Sequence, residues 1–208
     1  MYARTATLRG KPQAVDQAIS FVRDEWLPTT TGLDGCTGMS MLAGRRSGRC
    51  IVTTGWENEA AMQASEEAMR ASRATLGKIL GAVPVVSRWE VALMHRVQPA
   101  GEHPGCRVTW TALRDPSQVD EDVATFRMAI LPRLEEQPGF SSVSLMVDRL
   151  SGRAVAAVTY VDGAAKRAAG QQADALQQEY VRSMGGRITD VAEMGLVIAH
   201  LRIPETVQ

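Results

Sequence analysis

Few side chains in this sequence are of a kind that does chemistry, and most of them stand alone. His95, His103 and His200 are candidate bases near neutral pH, yet none has a second ligand at helical or strand spacing, so no metal site is expected. Cys36, Cys50 and Cys106 are odd in number and scattered, which points to reduced thiols rather than to a disulfide framework or a zinc site. Only Arg49, beside Cys50, would lower a thiol pKa. Arg45, Arg49, Arg149 and Arg153 flank two turn signals, where they would either grip a carboxylate or phosphate or simply be solvated. The larger resource is apolar and soft: four Trp and ten Met residues. Trp26 and Trp56, with Met62 or Met69, would wall a pocket for a flat apolar ligand. Thr5 or Thr7 would supply a polar anchor. Arg73 lies one turn beyond the i,i+4 pair Glu66–Arg70 and would face the same space. Core packing is the competing account of these Trp and Met residues, and no catalytic residue is singled out.

The bulk numbers exclude several classes. With 23 Lys and Arg against 23 Asp and Glu, the formal net charge is zero. That balance gives no electrostatic case for nucleic acid or for an anionic membrane surface. No apolar run reaches the ~18 residues of a membrane helix, and the start, MYARTATLRG, has no apolar signal segment. A cytoplasmic protein is the expectation. No G-x-G-x-x-G follows a strand and no G-x-x-x-x-G-K-[ST] is present, so no nucleotide cofactor is expected.

The elements that must position these residues occur twice. SGRCIVTTGW (Ser47–Trp56) returns as SGRAVAAVTY (Ser151–Tyr160), and the offset of 104 residues also aligns Thr5 with Thr109, Thr7 with Thr111, Pro12 with Pro116 and Pro28 with Pro132 without a gap. Two copies are too few for a solenoid. The reading is a duplicated domain: repeat one over residues 1–97, a Pro- and Gly-containing linker over 98–106, and repeat two over 107–208.

Within each copy a Thr-rich first strand (Tyr2–Arg9; Arg107–Leu113) leads into a helix opened by a proline. Apolar stripes at four-three-four spacing, Val15, Ile19, Val22, Trp26 and Val119, Val123, Phe126, Ile130, face a sheet. The helices are expected to fade near Pro28 and Pro132. Two strands joined by an S-G-R hairpin follow, with Gly48 and Gly152 free to take positive φ. Then come long Ala-rich helices, from about Glu57 to Leu80 and Asp162 to Met184, and a last strand. The order is β-α-β-β-α-β, the ferredoxin-like order. It leaves one sheet face bare in each copy. The fold class expected is therefore α+β: two ferredoxin-like repeats packed sheet-to-sheet as an intramolecular α+β barrel, an internal pseudo-dimer that is monomeric or homodimeric.

Several features carry a family resemblance: Leu27-Pro28 and Leu131-Pro132 late in the first helix, Pro138-Gly139 before a second strand, the GRRSGR and DRLSGR hairpins, and Trp56 and Tyr160 ending the third strands. The chain resembles antibiotic-biosynthesis-monooxygenase-type domains of the dimeric α+β barrel superfamily over nearly both halves. The resemblance implies one of two activities, cofactor-free oxygenation of small aromatic or quinone-like substrates with O₂, or haem binding and degradation. The haem-degrading branch uses an Asn on the first strand and a Trp and a His on or near the second helix. Here the first strands carry Thr5, Thr7, Thr109 and Thr111, and the second helices contain no His, so haem is not expected. The functional expectation is a monooxygenase-like protein acting on a small aromatic or quinone-like molecule. The alternative is a non-catalytic binder of a small hydrophobic ligand.

Overall fold

The computed structural model of the chain describes residues 1–183, 185–201 and 206–207. The first copy begins with β1 (Tyr2–Arg9), a 3-10 turn at Pro12–Ala14, α1 (Val15–Phe21), a π-helical turn (Val22–Trp26) and α2 (Leu27–Thr31). It continues with β2 (Cys36–Gly44), β3 (Arg49–Trp56), α3 (Glu59–Ala64), α4 (Glu66–Leu80) and β4 (Val85–Arg96). The second copy repeats the order. It has β5 (Gly105–Ala112), a 3-10 turn at Pro116–Gln118, α5 (Val119–Thr125), a π-helical turn (Phe126–Ile130) and α6 (Leu131–Glu135). Then come β6 (Phe140–Asp148), β7 (Arg153–Tyr160), α7 (Gly163–Ala168), α8 (Gly170–Ser183) and β8 (Arg187–Leu201), with a short β9 (Thr206–Val207). Met184, the expected end of the last helix, lies outside the described residues.

The chain divides into two compact units, and the division falls inside β4 and β8. The first unit holds Met1–Trp89 and β8 from Met194; the second holds Glu90–Glu193 and β9. Strand order is β4-β1-β3-β2-β8 in the first unit and β8-β5-β7-β6-β4-β9 in the second. In the first, β2 pairs antiparallel with the Gly195–Leu201 end of β8; in the second, β6 pairs with the Glu90–Arg96 end of β4. Strands of 12 and 15 residues are two to three times the usual ~5–6, which is what lets each contribute to two sheets' worth of pairing.

In each unit the helices cover one sheet face. The first core joins Ala6, Leu8, Met39, Met41 and Val52 of the strands to Val15, Ile19, Val22 and Trp26 of the first helix and to Met69, Leu76 and Leu80 of α4. The second joins Val143, Leu145 and Val147 to Val119, Phe126, Ile130, Leu176 and Tyr180. Both expected stripes thus face the sheet, with Val123 only partly buried.

The first helices do not stop at their prolines. Each passes through a π-helical turn just before the Leu-Pro pair, where the Leu27 N–H reaches Val22 O and the Leu131 N–H reaches Phe126 O, an i→i−5 bond. Widening the turn accommodates a residue that lacks an N–H and whose ring crowds the preceding turn. In the first copy Thr29, Thr30 and Thr31 donate hydroxyl bonds at 2.9, 2.9 and 3.0 Å to the carbonyls of Glu25, Trp26 and Leu27. The long second helices are likewise interrupted for one residue, at Ser65 and at Ala169.

Arg45 and Arg149, expected as turn charges, tie each hairpin to the helix beside it. Arg45 meets Asp16 at 2.8 Å, and Arg149 meets Asp120 at 2.8 Å and Glu90 at 2.6 Å. Gly48 takes φ 68°, and a Cβ there would lie 2.0 Å from the carbonyl oxygen of Gly10.

The first strands correct the ungapped alignment of the repeats. Ala6 pairs with Val52, whereas Thr109 pairs with Ala156, the counterpart of Val52. Ala6, not Thr5, is therefore the structural equivalent of Thr109. The cause is one extra residue in the second copy. The Gly10 N–H bonds Gly48 O and the Leu113 N–H bonds Gly152 O, but only Lys11 precedes Pro12 while both Arg114 and Asp115 precede Pro116. The added residue lets Asp115 cap the helix, accepting from the Ser117 N–H at 2.9 Å.

Candidate ligand-binding site

The helix-facing side of the sheet presents the same positions in both units and different side chains at them. In the second unit they enclose a cavity of about 60 Å³. Thr109, Thr111, Ala156, Val158 and Tyr160 form its strand floor; Phe126, Ile130 and Leu134 line it from the first helix, and Ala173, Leu176, Gln177 and Tyr180 from α8. Phe126 and Tyr180 pack edge to face, ring centres 5.3 Å apart. The Tyr180 hydroxyl donates to the Asp122 carbonyl at 3.0 Å. Tyr160 donates to buried Gln137 Oε1 at 2.6 Å, and burial pushes its phenol up to about 12.

The polar part of this cavity is an ordered array. Arg107 donates from Nε to Gln177 Oε1 at 3.1 Å, from Nη1 to Glu193 at 2.8 Å and from Nη2 to Asp174. Thr109 donates to the same Gln177 oxygen at 2.8 Å. Two donors on one amide oxygen fix the Gln177 side chain. Lys166 pairs with Glu193 at 2.8 Å. The result is an apolar chamber with a guanidinium, a hydroxyl and an amide at one end.

In the first unit the equivalent space is nearly filled. A gap of about 10 Å³, room for about one water, remains between Arg4, Ala6, Trp26, Val52, Thr54, Met69 and Arg73. The reason lies in the side chains. Trp26 stands where Ile130 stands in the second unit, Met69 where Ala173 stands, Val52 where Ala156 stands, and Arg73 where Gln177 stands. Trp26 and Met69 are 2% and 1% exposed and touch through Nε1 and Sδ at 3.3 Å. Arg4, the equivalent of Arg107, turns inward to Ser65 Oγ at 2.9 Å, to the Met62 carbonyl and to Glu66.

Of the six pocket candidates, Trp26, Met69 and Arg73 line this gap. Trp56 is fully buried and donates to Thr54 Oγ1 at 3.1 Å without lining it. Thr5 and Thr7 alternate with the helix-facing Arg4 and Ala6 and so lie on the other face, where Thr5 accepts from the Trp89 indole at 2.9 Å. The first-strand threonines that reach a cavity are Thr109 and Thr111. Arg107, Gln177 and Tyr180 line the second unit's cavity and were left unmarked by the sequence. The available signal was the shrinkage of aligned pairs, Trp26 to Ile130 and Met69 to Ala173.

The remaining candidates are accounted for locally. His95 Nε2 lies 2.6 Å from Glu135, and His103 and His200 are exposed. All three cysteines are free thiols, and burial pushes Cys50 up to about 11 and Cys106 to about 12. Among the described residues no three His, Cys, Asp or Glu side chains converge, and no helix is long and apolar enough to cross a membrane.

The element order of each unit is that of the ferredoxin-like fold, and solved structures of the same fold superpose on the chain. A proposed monooxygenase of Lactobacillus acidophilus superposes over 100% of this chain and 99% of its own, with a TM-score of 0.69 and 8% identity. An anthrone oxidase-like protein covers 96% of this chain and 91% of its own at 0.66 and 13%. A Listeria monocytogenes ferredoxin-fold protein related to antibiotic biosynthesis monooxygenases covers 92% and 93% at 0.50 and 8%. At those identities the likeness concerns the fold alone. No protein-family model matches the chain. It is 40% identical over 207 residues to the uncharacterized protein Rv2557 of Mycobacterium tuberculosis, spanning 100% of this chain and 92% of that one. It is 39% identical over 208 residues to Rv2558 of the same organism, spanning 100% and 88%. The chain belongs to the family of these two mycobacterial proteins.

Proposed function

We propose that this protein binds a small, largely apolar molecule, aromatic or quinone-like, in the cavity of the second unit, and that the first copy holds no equivalent organic ligand. The observation that carries the reading is the contrast in filling, about 60 Å³ against about 10 Å³ at equivalent positions. A lining that is apolar with a few fixed polar groups at one end is the kind small-molecule sites use, and because about 150 Å³ is needed to hold a benzene, a ring enters this one only as its side chains move apart. Thr109, Gln177 and Arg107 would orient one oxygen of the ligand while Phe126, Ile130 and Tyr180 hold its ring.

Binding without turnover is the reading the residues support best. Oxygenation without a cofactor needs a base to deprotonate the substrate. Tyr160 is held protonated by burial, and the carboxylates of Asp174 and Glu193 are engaged by Arg107. One observation favours a second reading, an oxygenase-like enzyme: Arg107 lines the cavity as a fixed cation that would stabilise a bound phenolate during attack on O₂. Fold neighbours named as monooxygenase and anthrone oxidase-like accord with it.

Calorimetry with phenol, hydroquinone and 1,4-dihydroxynaphthalene, alongside an oxygen electrode, tests both readings. Saturable binding that Ala173→Met abolishes, without oxygen uptake, is the expected result. Oxygen uptake that Arg107→Met abolishes would establish the second reading. No binding by any of the three, or binding indifferent to Ala173→Met, would overturn the site.

A further inference from the structure

The gap in the first unit has an unbalanced electrostatic lining. The Arg4 and Arg73 side chains are only 2% and 8% exposed, and both ion pairs they form go to the single carboxylate of Glu66. Arg73 is hydrogen-bonded to Glu66 Oε1; Arg4 lies 3.1 Å from Oε2 without forming a hydrogen bond to it. Two guanidiniums against one carboxylate leave one positive charge uncompensated in a buried place, where such a charge is costly. Among the described residues, Arg4 Nε and Arg73 Nη1 are buried donors with no acceptor. Burial lowers the Arg4 pKa; Glu66 acts against this, Arg73 and Arg88 act with it, and the balance stays below the ordinary value.

Both arginines line the gap. Its other polar groups are already engaged. The Thr54 oxygen accepts from the Trp56 indole and its hydroxyl is directed to the Arg4 carbonyl at 3.4 Å, while the Trp26 N–H is directed at Met69 Sδ. The remaining walls, Ala6 and Val52, are apolar. A water in such a place would find donors but little to accept its own protons, and a buried water commonly needs about three partners. A single atom that only accepts and carries one negative charge, somewhat larger than a water but with no protons to place, meets the electrostatic requirements, with the flexible Met69 and arginine side chains making room for it.

We propose that a single halide ion, chloride under ordinary conditions, occupies this gap and bridges Arg4 and Arg73. The second unit needs no such ion. Its equivalent arginine, Arg107, meets both Asp174 and Glu193, Gln177 replaces Arg73, and Gly170 replaces Glu66. This ion site is independent of the organic-ligand site proposed above.

The test is thermal unfolding of the full chain in sodium bromide or chloride against sodium gluconate at equal ionic strength, since gluconate is too large for the gap. The expected result is a Tm higher in 0.3 M halide by roughly 2–4 °C. Arg73→Gln, which installs the second unit's residue, should abolish the difference. Glu66→Gln, which removes the carboxylate that both arginines pair with, should enlarge it. Crystals of the unaltered protein soaked in bromide should show an anomalous peak between Arg4 and Arg73, a readout that depends on no variant. Equal Tm values in the two salts, a halide effect that survives Arg73→Gln, an effect unchanged or diminished by Glu66→Gln, or a bromide map empty at this point would each overturn the proposal.

Discussion

The two units use one backbone plan to opposite ends. In the first, Trp26, Met69, Val52 and Arg73 fill the space between helices and sheet; in the second, Ile130, Ala173, Ala156 and Gln177 leave it open. Trp26 and Ile130 are each positioned by the same device, a π-helical turn just ahead of a Leu-Pro pair, and the other members of both sets by the same strand and second helix. The same element order thus recurs with different packing between helices and sheet. A few changes of side-chain volume separate a packed core from a cavity, because protein interiors are close-packed and feel even a methylene.

The largest effect that sharpens this comparison concerns packing. Met69→Ala should destabilise the protein by roughly 2–5 kcal/mol. Ala173→Met, its mirror image, should fall within about 1 kcal/mol of the parent in either direction, because the added atoms enter existing space. Chemical denaturation measures both, and equal losses would break the comparison. Next in size are the hairpin glycines. Gly48→Ala and Gly152→Ala each force a left-handed backbone on alanine, about 1–2 kcal/mol. Position 48 should lose distinctly more. Its Cβ would meet the Gly10 carbonyl oxygen at 2.0 Å, whereas at 152 it meets a Pro116 ring carbon at 2.9 Å.

Much of the fold was legible in the sequence and the site was not, for reasons visible in particular residues. The stripes Val15–Ile19–Val22–Trp26 and Val119–Val123–Phe126–Ile130 report helix periodicity directly, and Gly48 and Gly152 report a turn. The π-helical turns left no such mark, since Pro28 and Pro132 read equally well as helix ends. The one-residue slip before Pro116 was hidden because Thr5/Thr109 and Thr7/Thr111 are identical by an offset that the strands do not follow. Thr5 and Thr7, expected as the polar anchor, stand on the sheet face opposite Arg4 and Ala6. The sharing of β4 and β8 between units was signalled only by their length. Arg107 and Gln177 were unreadable as site residues because their roles depend on side chains brought together from β5 and α8 by the fold.

Two smaller effects refine the contrast further. Asp162 accepts from two α7 N–H groups and Asn58 from one α3 N–H. Asp162→Ala should therefore cost about 1 kcal/mol and Asn58→Ala somewhat less, by thermal unfolding. In the second unit Glu90 and Asp148 should lose stability in acid, offset in part by Asp122, whose carboxyl burial raises. Arg149 holds the Glu90 carboxyl below its ordinary range; burial raises that of Asp148, but hydrogen bonds from Arg153 and Ser151 bring it below. Groups depressed in the fold add stability above the ordinary carboxylate range and lose it as pH falls through their folded values. With solvent screening each is worth under about 1 kcal/mol. Hydrogen exchange in the second unit should quicken below about pH 4, and Glu90→Gln with Asp148→Asn should flatten that dependence. An unaltered slope would remove these pairs from the account.

The central claim, that at equivalent positions among the described residues the second unit holds an open apolar chamber and the first does not, is tested most directly by a crystal held under xenon pressure, since dry apolar cavities take up xenon. A xenon atom among Ile130, Ala173 and Leu176, with none between Trp26 and Met69, is the predicted map. Xenon in the first unit, or in neither, would contradict it.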